Sequence, residues 1–173
     1  MGYTTYFDGA LQFDKPVTDK LKNYINKFSD TRRMLRDNNK IKELYPNWKE
    51  LCFNGELGEN GAYFVGGGDI IYFGGNSEDK SIINYNDAGS QPGLWCQWVI
   101  TDNNELMWDQ GEKFYNYTEW LGYLIEHFFA PSGYVLNGTV FYEGEDSDDF
   151  GKIVVTDNVV KLFYGYREYE EAN

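Results

Sequence analysis

"GYVLNGTVFYEGEDSDDFGKIVVTDNVVKLFYGY", residues 133–166, decides the fold class. It holds three runs rich in Val, Ile, Phe and Tyr, the side chains that fit a pleated, half-buried surface. Gly144 to Gly151 separates the first two runs, and Asp157-Asn158 separates the last two. An Asp-Asn pair tolerates the left-handed backbone that a tight hairpin requires. Consecutive strands joined by short turns predict an antiparallel sheet.

Just upstream, "NYTEWLGYLIEHFF" at 116–129 carries Tyr117, Trp120, Leu121, Leu124, Ile125, Phe128 and Phe129 at helical spacing. This is one wide apolar stripe. Asn116 and Glu119 have the spacing of a capping box, and Pro131 and Gly133 stop the helix. Before it, "GLWCQWVITDNNELMWDQGE" reads as a hairpin turning at "DNN". There Leu94, Cys96, Trp98 and Ile100 share one face, and Trp95, Gln97 and Val99 the other.

At the other end, "YTTYFDGALQF" (3–13) reads as a strand interrupted near Asp8-Gly9. A helix follows, capped by Thr18 or Asp19, with Leu21, Tyr24, Ile25 and Phe28 on its buried side. Leu35 extends that stripe through Arg32, Arg33 and Arg36; alternatively Ser29 or Asp30 caps a second helix from Thr31. On either reading Arg32 and Arg36 share a helix face. Strands are also expected near 62–65 and 70–74, between glycines. The 173 residues therefore predict one α+β domain, a mainly antiparallel sheet of about six to eight strands with two principal helices packed on it.

Charge is unevenly distributed. Residues 1–50 hold ten Lys and Arg against seven Asp and Glu, and residues 51–173 hold five against twenty-one. The net charge of −13 repels nucleic acid and anionic lipid and attracts basic protein surfaces. The start lacks a signal-peptide pattern and no stretch is long and apolar enough to span a bilayer, so the cytoplasm is the expected location. Cys52 and Cys96 lie far apart without a CxxC, which fits free thiols in a reducing compartment.

Enzyme chemistry finds little support. His127 is the only histidine and sits on the amphipathic helix, and no GxSxG, HExxH or Walker pattern occurs. The acidic run 144–152 departs from a calcium loop, with Phe150 at the fifth ligand position and Asp157 in place of the twelfth-position Glu. "VGGGD" leads into an expected strand, whereas a phosphate loop opens a helix. No catalytic residue, metal or cofactor is assigned.

Two binding surfaces remain. Glu143, Glu145, Asp146, Asp148 and Asp149, with Trp95 as an exposed aromatic, are the candidate contacts to a basic protein surface. Arg32, Arg33 and Arg36 are the alternative, a fork for a nucleotide-like anionic small molecule, unless neighbouring carboxylates neutralise them.

Several segments carry a resemblance: "GYTTYFDG" at 2–9, "FSDTRRM" at 28–34, "QPGLWCQW" at 91–98, "EKFYNYTEWLGYLIEHFFAPSGYVLNG" at 112–138 and "GEDSDDFGKIVV" at 144–155. In these the chain resembles a family of small acidic proteins scattered through phages and bacterial genomes. The resemblance spans most of the chain outside 38–60. It implies a phage-associated accessory or counter-defence role in the host cytoplasm, acting on a host protein, and it carries over no site residues.

Overall fold

In the computed structural model, which describes residues 2–66 and 79–173, the run at 133–166 forms three consecutive antiparallel strands. They are β6 (Leu136–Gly144), β7 (Phe150–Thr156) and β8 (Val159–Tyr164). Asp157 and Asn158, both at positive φ, make the β7–β8 turn as expected. The other strands of this sheet are β1 (Thr5–Phe13), β4 (Trp98–Ile100) and β5 (Glu105–Trp108). The order is β4-β5-β1-β6-β7-β8, with every neighbour antiparallel. The fold is α+β, and a separate two-stranded ribbon pairs β2 (Leu35–Arg36) with β3 (Ile82–Asn84).

The chain divides into two compact units: residues up to Pro16 together with Trp98–Asn173, and Val17–Gln97. We call them the sheet unit and the inserted unit. Charge follows this division. The sheet unit has seventeen Asp and Glu against five Lys and Arg, a net −12; the inserted unit has eleven against ten, a net −1.

In the sheet unit, strand alternation sends Leu11, Phe13, Leu136, Val140, Tyr142, Ile153 and Val155 to a buried face. Phe7, half-buried on the same face, sets its ring edge-to-face against Trp98, Trp108, Phe114 and Tyr117 at 4.9–5.9 Å. Such pairs add about 1 kcal/mol each beyond their buried area. Helix α3 (Tyr117–Leu124) adds Trp120, Leu121 and Leu124, all fully buried. Asn116 precedes it in the left-handed conformation and makes no side-chain cap, so the expected capping box is absent. The helix continues as a π turn over Ile125–Phe129, closed by Ala130 N–H donating to the Ile125 carbonyl at 2.8 Å. This wider turn rotates less per residue, so the consecutive Phe128 and Phe129 both reach the core. β1 is not interrupted: it pairs with β6 from Thr5 to Phe13, and Gly9 absorbs the bend at φ 112°.

In the inserted unit, α1 (Asp19–Ser29) begins where Thr18 Oγ1 accepts the Leu21 N–H, and it buries Leu21, Ile25 and Phe28. No helix carries the arginines. Residues 31–34 are irregular, Leu35–Arg36 is strand β2, and α2 (Asn38–Leu44) starts only after Asp37, whose carboxylate caps it. A second core joins Ile41, Cys52, Leu57 and Phe64. Residues 62–65 form no strand, and the strand expected at 70–74 lies outside the described residues. Among the described residues, no helix is long and apolar enough to cross a membrane.

Candidate partner-docking surface

The alternation that buries one face of the six-stranded sheet turns the other outward. Tyr6, Asp8, Phe141, Glu143, Lys152 and Phe163 are all exposed on that second face. Strand register fixes their pattern. Asp8 opposes Phe141, Phe141 opposes Lys152, and Lys152 opposes Phe163, giving a row of alternating charge and ring across four strands. The next row runs Tyr6, Glu143, Phe150. Tyr6 is 59% exposed and Phe141 56%, values that set them apart from the core rings.

Tyr6 stands as a ridge between two shallow hollows. One, of about 290 Å³, is walled by Met107 and Trp108, and the Tyr6 and Trp108 rings meet edge-on at 6.1 Å. The other, of about 450 Å³, is lined by Asp8, Phe141, Glu143, Phe150 and Arg167. Large, stiff rings that offer area at little entropic cost, beside carboxylates, suit a protein contact.

The β6–β7 loop carries the remaining acids. Glu145 accepts the Thr4 N–H at 2.7 Å, and the Tyr3 hydroxyl donates to Asp149 Oδ2 at 2.6 Å while accepting the Asp146 N–H at 3.1 Å. The bond to Asp149 holds the Tyr3 phenol above its ordinary pKa. Arg167 spans the same loop, donating to the Ser147 carbonyl at 2.7 Å and lying over the Phe150 ring. Glu145 and Asp149 thus brace the loop, and Glu143, Glu145, Asp146 and Asp148 are all exposed. Of the expected contact residues these five acids share β6 and its following loop. Trp95 is 38% exposed but belongs to the inserted unit, whereas Trp98 and Trp120 are fully buried. The aromatic contacts that belong with the acids are Tyr6 and Phe141, which the reading of residues missed; alternation in β1 and β6 was the signal.

The arginines do not share a helix face. Arg33, 2% exposed, donates from Nε to Gln91 and from Nη2 to the Ala62 and Phe64 carbonyls, with its guanidinium 4.0 Å from the Phe28 ring. Arg36, 4% exposed, bonds Asp79 Oδ2 and Ser81 Oγ, both at 2.7 Å. Arg32 lies on the Tyr85 ring and donates to the Tyr85 carbonyl and Asn86. A carboxylate, Asp79, neutralises Arg36. Burial alone would raise the Asp79 pKa, but hydrogen bonds from Ser81, Tyr45 and Arg36 outweigh it and hold it at about 2. Burial and the bond to Asp79 push Tyr45 up to about 12.

His127 is half-buried and stacks on Tyr123 at 4.2 Å. Cys52 and Cys96 are both buried. Among the described residues no three His, Cys, Asp or Glu side chains converge as a metal site. No family model, curated protein or solved structure matches the chain.

Proposed function

We propose that the protein is a non-catalytic binder that lays the outward sheet face and the β6–β7 loop on a basic surface of another protein and blocks it. The observation that carries this reading is the exposed Tyr6–Phe141 pair set among Asp8, Glu143, Asp146 and Asp148 on a unit of net −12. Rings supply the desolvated centre of such a contact, and acids supply steering and orientation. With the resemblance to small acidic phage proteins, the partner is a host protein in the bacterial cytoplasm, and masking its nucleic-acid-binding face is the mode of action. The anion-binding alternative at Arg32, Arg33 and Arg36 is disfavoured, because all three guanidinium groups engage the protein's own acceptors.

The test compares wild type with Tyr6→Ser/Phe141→Ser as baits in lysate from a bacterial host. The reading requires one basic protein that wild type retains, that salt releases, and that the double variant fails to hold. Capture that ignores both salt and the double variant sinks it.

A further inference from the structure

The outermost strand β8 offers a second interaction surface, separate from the outward face. Its pairing with β7 ends where Gly165 N–H donates to the Phe150 carbonyl at 2.7 Å. Stepping back by twos through the antiparallel register, Val159, Lys161 and Phe163 direct their backbone groups at β7. Val160, Leu162 and Tyr164 therefore direct theirs away from the sheet, and among the described residues no strand pairs with that side. Native sheets blunt such edges with proline, bulges or charge. β8, "VVKLFY", has no proline and pairs without a register shift; its only charge is Lys161. Val159, Phe163 and Tyr164 are exposed, Tyr164 at 79%.

The local charge selects the occupant. Although the sheet unit is acidic overall, the charged side chains on β7 and β8 are Lys152 and Lys161. A basic segment would be repelled there. A second copy fits. With a two-fold axis at Leu162, Leu162 meets its own counterpart and Val160 meets Tyr164 of the other copy, apolar against apolar. On the outward side Lys161 meets Phe163 of the other copy, repeating the cation–ring contact that Lys152 already makes with Phe163 at 5.5 Å. A two-fold axis at Lys161 would instead oppose two ammonium groups, and one at Phe163 would leave part of the rim unpaired. Only the Leu162-centred register uses every outward N–H and C=O of Val160, Leu162 and Tyr164.

We propose that two copies of the chain associate through antiparallel pairing of β8, joining their sheets into one. The interface is isologous and closed, so it stops at a dimer. It brings together two bodies of net −12, whose repulsion salt screens over about 8 Å at physiological strength. Dimerisation therefore strengthens as salt rises, opposite in sign to the docking of a basic partner, so the two can succeed or fail separately.

Sedimentation equilibrium of the full chain, from micromolar to near-millimolar protein at low and high salt, tests this. The expected result is a mass approaching twice 20.1 kDa, with a midpoint that falls as salt is added. Tyr164→Pro removes an N–H that β7 does not use and should raise the midpoint at least about tenfold. Phe163→Lys opposes ammonium groups across the interface and should act likewise, and it decides the matter if the proline variant fails to fold. A monomer at every concentration in high salt, a dimer that salt weakens, or a dimer that a folded Tyr164→Pro leaves unchanged overturns the proposal.

Discussion

Arg36 Nη1 lies 2.7 Å from Asp79 Oδ2, with the arginine buried and the carboxylate only 12% exposed. Tyr45 and Ser81 donate to the same carboxylate, so the pair is held by a network that leaves neither charge alone. An isolated buried ion is costly, and removing one partner exposes that cost.

Asp79→Asn should therefore destabilise the inserted unit by about 3–5 kcal/mol, read by urea denaturation. The same carboxylate governs acid sensitivity. Its folded pKa of about 2 lies below the unfolded value of 3.8, so its contribution is complete above pH 4 and fades as pH falls from 4 towards 2. That contribution is about 2 kcal/mol. In Asp79→Asn, stability should lose this part of its slope between pH 4 and 2; an unchanged slope would refute the assignment.

Tyr142 makes the opposite prediction. Its ring covers Gly151 on β7, its hydroxyl is buried, and among the described residues that oxygen has no hydrogen-bond partner. An unsatisfied buried hydroxyl costs free energy in the folded state. Tyr142→Phe should raise stability by about 1 kcal/mol, seen as a higher melting temperature. Gly151→Ala should lower it, since a Cβ there would collide with the Phe163 carbonyl and the Tyr142 hydroxyl.

Tyr3→Phe removes the hydroxyl that links Asp146 N–H to Asp149. Amide exchange at Asp146 should accelerate while the β1–β6 ladder stays protected. Equal acceleration in both would mean that Tyr3 supports the whole sheet and not the loop.

Charge reversal at Asp8 and Glu143 addresses steering. Both are exposed on the outward face, so folding stability should shift by no more than about 0.5 kcal/mol. Association with the basic partner should slow about tenfold or more at low salt, with a smaller change in dissociation. A change confined to dissociation would place the two acids at the desolvated centre of the contact.

The sheet was legible because period-two alternation and the Asp157-Asn158 turn are local signals. β6, β7 and β8 stand where the residues put them, and the β4–β5 hairpin does so too, although its first strand begins only at Trp98 and residues 94–97 are irregular. The arginine segment was not legible. Leu35 continues the α1 stripe in sequence, but the chain turns after Ser29, and Arg33 and Arg36 donate to Ala62, Phe64, Asp79 and Gln91. Those partners lie 29–58 residues away, beyond any periodicity. The π turn was hidden too, because a helix stripe looks the same whether its last turn closes at four residues or five. The acidic loop was visible as composition; that Tyr3 and Thr4 brace it was not, since those contacts span more than 140 residues.

β1 is made first but sits mid-sheet, between β5 and β6. Its longest partner, Leu136–Gly144, emerges from the ribosome more than a hundred residues later, a delay of roughly ten seconds at common elongation rates. Until β5 emerges at Glu105–Trp108 the nascent Thr5–Phe13 segment has both edges unpaired, and its β6 edge waits longer still, while Val17–Gln97 is synthesised in between. Translation speed across 98–144 thus sets how long the Thr5–Phe13 segment waits with an unpaired, aggregation-prone edge.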